Sequence, residues 1–91
     1  LGLSMETVIY GNLQSEALEV ILREGRYFLR YDAGAHQMAW REDELTEDEF
    51  QRLRQGHADE YQVIIGLQHR LAASGNDPHK QNWNPPPKSH A

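Results

Sequence analysis

The 91-residue chain contains no cysteine. Disulfides and thiolate metal sites are thereby excluded, and a reducing cytosol is the natural compartment for such a sequence. Long apolar runs are missing too: nothing approaches the ~20 residues that a membrane span needs. The start lacks the charged-then-apolar pattern of a secretory signal, and the expected localisation is cytoplasmic. Met5 reads as the native initiator, with Leu1 to Ser4 as residues added ahead of it for expression.

Catalytic signatures are equally scarce. Ser4, Ser15, Ser74 and Ser89 sit in termini or turn-like stretches, without the strand-to-helix elbow that exposes an attacking hydroxyl. His36, His57, His69, His79 and His90 form no i, i+4 pair and no His-Glu-x-x-His arrangement of the kind that puts two metal ligands on one helical face. No phosphate-binding loop is present. The sequence therefore predicts no enzyme, no catalytic residue, no cofactor and no metal.

What is present is charge of one sign in one place. The formal net charge is −5, and six of the fourteen acidic residues lie in a short run, Glu42, Asp43, Glu44, Glu47, Asp48 and Glu49. A phosphate backbone would be repelled there, and the arginines and lysines are scattered, so nucleic acid is an unfavoured partner. Acids at a helix entrance complement the helix dipole, which is a sufficient structural role for them. The functional role is a docking surface in which Glu42, Asp43, Glu44, Glu47 and Asp48 attract a basic protein, as in a small inhibitor, immunity protein or antitoxin. The alternative is an accessory protein that stacks nucleic-acid bases on a sheet face bearing Tyr27, Tyr31 and Trp40. Homodimerisation is left open.

The expected fold class is α+β: an antiparallel β-meander of three to four strands packed against one or two C-terminal helices. Met5 to Tyr10 is short and β-branched and ends at Gly11-Asn12, as a first strand would. Residues 13 to 24 read either as a helix, with Leu13, Ala17, Leu18, Ile21 and Leu22 on one face, or as a strand over Leu18, Val20 and Leu22. Register favours the strand. A turn at Arg23 to Arg26 puts Leu22 opposite Tyr27, Val20 opposite Leu29 and Leu18 opposite Tyr31. A second turn at Asp32-Ala33-Gly34-Ala35 puts Tyr31 opposite His36, Leu29 opposite Met38 and Tyr27 opposite Trp40. All the large side chains, including Met38 and Trp40, would then share one buried face.

The helical half opens on Thr46 as N-cap. Glu49 completes a capping box, and Leu45 with Phe50 occupies the positions of a hydrophobic staple. Gly56 is expected to break this helix, and Asp59 to cap a second one running to about Ala73. Its apolar face would hold Tyr61, Ile64, Ile65, Gln68 and Leu71, widened by Val63 and Leu67. Residues 5–75 then form one domain. Residues 76–91, with Pro85-Pro86-Pro87, read as an extended or disordered polar tail whose one sticky residue is Trp83.

Overall fold

A computed structural model describes residues 5–34 and 36–87. Leu1 to Ser4, the expected added residues, lie outside it, as does the chain beyond Pro87. Four antiparallel strands form one sheet in the order β1-β2-β3-β4, with β1 at Glu6–Asn12, β2 at Leu18–Arg23, β3 at Arg26–Asp32 and β4 at Trp40–Leu45. A single helical turn, α1 (Leu13–Glu16), separates β1 from β2, and two helices follow the sheet, α2 (Glu47–Leu53) and α3 (His57–Ala73). No helix among the described residues is long and apolar enough to cross a membrane.

Both readings of residues 13 to 24 contain part of the answer. Asn12 caps one turn of helix, its side-chain oxygen accepting from the amides of Gln14 and Ser15 at 3.0 Å each. The turn ends at Ala17, which adopts a left-handed conformation with φ 57°. Gly11 is required beside it: at φ +74° a Cβ would lie 2.5 Å from the carbonyl oxygen of Leu18. The chain then extends as β2, and its ladder with β3 pairs Leu18 with Tyr31, Val20 with Leu29 and Leu22 with Tyr27. A tight turn at Glu24-Gly25, both with positive φ, fixes that register.

The register of β4 differs from expectation. Tyr31 stands opposite Arg41 rather than His36, and Leu29 opposite Asp43 rather than Met38, a displacement of five residues. The connection between β3 and β4 is longer than a tight turn and is organised by Asp32, whose Oδ1 accepts from the amides of Gly34 and Ala39 at 2.9 Å. An odd displacement exchanges faces. Met38 is consequently in the loop and 65% exposed, and Trp40 lies on the face opposite Leu29.

Helices α2 and α3 cover the face that carries Val20, Leu29, Tyr31 and Leu45, and with Phe50, Leu53, Val63 and Leu67 these residues form the core. Thr46 caps α2 with the full reciprocal capping box, and Leu45 and Phe50, the staple pair, are both buried. Helix α3 starts earlier than expected: Gly56 is its N-cap and Asp59 lies within the first turn. Its buried line is Val63 and Leu67, flanked by Ile64 and Leu71, while Tyr61 is 65% exposed. The apolar stripe is thus centred on the two residues expected only to widen it.

Candidate functional site

Among the described residues the opposite face of the sheet is covered by neither α2 nor α3 and is bordered by the single turn α1. By register it presents Glu6 and Val8 from β1, Glu19, Ile21 and Arg23 from β2, Arg26, Phe28 and Arg30 from β3, and Trp40, Glu42 and Glu44 from β4. Its charged residues are woven into a lattice. Arg30 reaches three carboxylates, Glu42 at 2.9 Å, Glu6 at 3.1 Å and Glu19 at 3.2 Å. Arg23 bridges Glu6 at 2.7 Å and Glu42 at 2.9 Å, with its guanidinium carbon 4.1 Å from the centre of the Phe28 ring. Arg26 holds Glu44 through two donors, at 2.8 and 2.6 Å.

The electrostatic consequences follow from these partners. Glu6 is held below the usual carboxylate range by its hydrogen bond to Arg23, with Arg30 adding to the effect, and Glu44 is lowered chiefly by its bond to Arg26. Around Arg23 and Arg30 three carboxylates, Glu6, Glu19 and Glu42, meet two guanidiniums, so the centre of the lattice retains negative charge.

The acidic run of the sequence is therefore divided among several surroundings. Glu42 and Glu44 point to the open face and are engaged by arginines of the same chain. Asp43 points the other way and is buried, accepting from Arg41 through two donors at 2.8 Å and from the Tyr31 hydroxyl at 2.8 Å. Glu49 serves the capping box and also accepts from Arg70 at 2.8 Å. Glu47 and Asp48 remain exposed in the first turn of α2, where Glu47 accepts from Tyr27 and Gln51. Strand alternation explains the division: consecutive residues 42, 43 and 44 cannot share a face.

The three aromatics proposed as a stacking platform are also separated. Tyr27 stacks on Phe50 beneath α2 at 4.3 Å between ring centres, Tyr31 is buried against Asp43, and Trp40 lies on the open face.

Residues 76–87 adopt no helix or strand, yet they are tied to the sheet. Asn82 donates its amide to the Trp40 carbonyl at 3.1 Å, accepts from the Glu42 amide at 2.8 Å and returns a bond to the Glu42 carbonyl at 3.2 Å. Arg41 donates to the carbonyls of Asp77 and Lys80. This side-chain and backbone pairing occupies the outer edge of β4. The chain then passes onto the open face, where the Arg30 guanidinium lies 4.6 Å from the Trp83 ring centre.

Beyond Trp83, Pro85 and Pro86 form one wall of an open groove of about 720 Å³. Val8, Leu13, Met38 and Trp40 supply the other apolar surface, and Glu19 supplies a carboxylate that already accepts from Arg30 and from the Leu13 amide at 3.3 Å. Its size falls in the range of ordinary ligand sites, roughly 300–1,000 Å³. The sequence reading missed the groove because it placed Met38 and Trp40 in the core. Their availability follows only once the β4 register is known. Compared with known proteins, the chain matches no family model, no curated protein and no solved structure.

Proposed function

We propose that this chain is a non-enzymatic protein-binding module, of the inhibitor, immunity-protein or antitoxin kind, working in a reducing, cytoplasmic setting and taking a basic, partly apolar segment of another protein into the groove on its open sheet face. The observation that carries this reading is the groove itself. Met38 at 65% exposure and Val8 at 53% stand beside Trp40, Pro85 and Pro86, next to a lattice with more carboxylates than guanidiniums. Apolar walls supply contact area, Trp is a residue type that anchors interfaces, and residual negative charge selects for a cation on the incoming segment.

The acidic run then acts at longer range. Glu47 and Asp48 are exposed and, with a net charge of −5, favour encounter with a basic partner. Glu42, Asp43 and Glu44 contribute to the field while remaining bound to arginines of their own chain. Nothing about the separated Tyr27, Tyr31 and Trp40 favours base stacking.

A displayed library of random peptides, selected against the intact chain, tests the reading. The enriched peptides should combine apolar residues with Lys or Arg, and Trp40→Ala and Met38→Asp should each reduce their capture, while Arg54→Ala on the helical side leaves it unchanged. Selection of peptides that bind Trp40→Ala and Met38→Asp as well as the parent would overturn the groove as the docking surface.

A further inference from the structure

The two edges of the sheet are treated differently. Gln81 and Asn82 bond the outer edge of β4 at Trp40 and Glu42, whereas among the described residues β1 pairs only with β2, and Met5 to Ile9 are exposed. An open edge presents a row of backbone donors and acceptors to any strand of suitable sequence. Such edges are usually blunted by Lys, Pro or unpaired charge. Residues 5–9, Met-Glu-Thr-Val-Ile, contain no Lys and no Pro, and the one charged residue, Glu6, is engaged by Arg23 and Arg30. Met5, Val8 and Ile9 are 85%, 53% and 36% exposed.

We infer that β1 is the interface for a second copy of this chain, pairing antiparallel with the same strand of its partner about a two-fold axis at Thr7. That axis sets Thr7 opposite Thr7, Glu6 opposite Val8 and Met5 opposite Ile9. The arrangement is self-complementary. Glu6 never meets Glu6, apolar Met5 covers apolar Ile9, and a Thr-Thr pair is among the favourable cross-strand combinations. Faces agree as well, since Glu6 and Val8 both point to the open side while Thr7 pairs with Leu22 on the other. The β-bulge between Val8 and Tyr10 ends the regular ladder at Val8, so the paired stretch is Glu6 to Val8 and the Met5–Ile9 contact is made at the bulge itself.

A second copy is favoured over an unrelated strand by self-complementarity. The molecule carries −5 overall, but at the seam its one carboxylate, Glu6, is bound by Arg23 and Arg30 and stands opposite Val8 rather than another Glu6. A two-fold interface must be complementary to itself, and this strand is. The result is a continuous eight-stranded sheet with the helices of both protomers on one side and both grooves on the other.

Sedimentation over a concentration series tests the inference on the full chain. The parent should pass reversibly from monomer to dimer, and amide exchange at Met5 to Ile9 should slow as concentration rises. Thr7→Lys and Thr7→Glu each place like charges opposite one another and should weaken self-association roughly tenfold. An equimolar mixture of the two should restore it. A parent that stays monomeric at every soluble concentration overturns the inference. So does a dimer that Thr7→Lys leaves as strong as the parent, or a mixture that associates no better than its components. Peptide capture through Met38 and Trp40 is a separate readout, so either result stands without the other.

Discussion

On one face of the sheet Val20 and Leu29 reach zero exposure beneath Phe50, Leu53, Val63 and Leu67; on the other, Ile21 reaches the same value opposite Phe28, on the face that carries Arg23 and Arg30. The first burial is by apolar atoms donated from helices. The second face carries Arg23 and Arg30, whose heads are held by Glu6, Glu19 and Glu42 and lie over the Phe28 and Trp83 rings, an arrangement in which charged residues sit above apolar ones. A face built in this way stays polar at its surface and open to a partner, while the helical face is spent on stability. The helical face nevertheless contains one polar cluster, Arg41, Asp43 and Tyr31, and it is fully satisfied: no buried side-chain polar atom among the described residues lacks a hydrogen-bond partner.

The largest expected difference between the faces concerns their ion pairs. Asp43→Ala leaves Arg41 buried without its bidentate acceptor, and removing one partner of a buried pair costs about 3–5 kcal/mol. The low end applies here, because Arg41 keeps the Asp77 and Lys80 carbonyls. Glu44→Ala, on the open face, removes only an exposed pair and should move the midpoint of denaturant unfolding little. The comparison breaks if the two substitutions shift that midpoint equally at unchanged m-value.

Much of the helical face was legible in the sequence for local reasons. Thr46 and Glu49 lie three residues apart, and Leu45 and Phe50 flank the cap, so the start of α2 is specified by contacts within one turn. The β2–β3 register was legible because Glu24-Gly25 makes a turn too short to slip. The β3–β4 register was not. Its inward positions are Arg41, Asp43 and Leu45, and two of these three are charged, so an apolar alternation search settles instead on Met38 and Trp40. The groove and the lattice depend on that register. Arg26 and Arg30 with Glu42 and Glu44 do alternate in phase on their strands, but the pairing can be read only when the loop length is known.

The helix entrance offers a second, smaller contrast, between a cap that serves stability and acids that serve attraction. Thr46→Ala should destabilise the chain by about 1 kcal/mol, the usual cost of an N-cap hydroxyl, seen as a lower unfolding midpoint. Asp48→Asn, exposed in the same turn, should leave the midpoint nearly unchanged and act on association with basic peptides at low salt. An unchanged midpoint for Thr46→Ala would mean that the reciprocal bond from Glu49 and the burial of Phe50 hold the helix start without it.

The smallest expected effect belongs to the open face in acid. Glu6 titrates below its ordinary value of 4.5 because Arg23, and then Arg30, favour its charged form. A carboxylate depressed on folding contributes stability that is present above its unfolded pKa and is lost as pH falls through the lower folded value. Between about pH 4.5 and that value the unfolded chain takes up the proton first, so stability falls with pH. Glu6 is partly exposed, and an exposed pair is worth under about 1 kcal/mol. Glu6→Gln should therefore be slightly less stable than the parent at neutral pH and indistinguishable from it in strong acid, the difference closing between the two pKa values. High salt should shrink the neutral-pH difference. A difference that persists unchanged into acid would show that the charge of Glu6 does not carry the effect, because the amide keeps the shape of the side chain and removes only its charge.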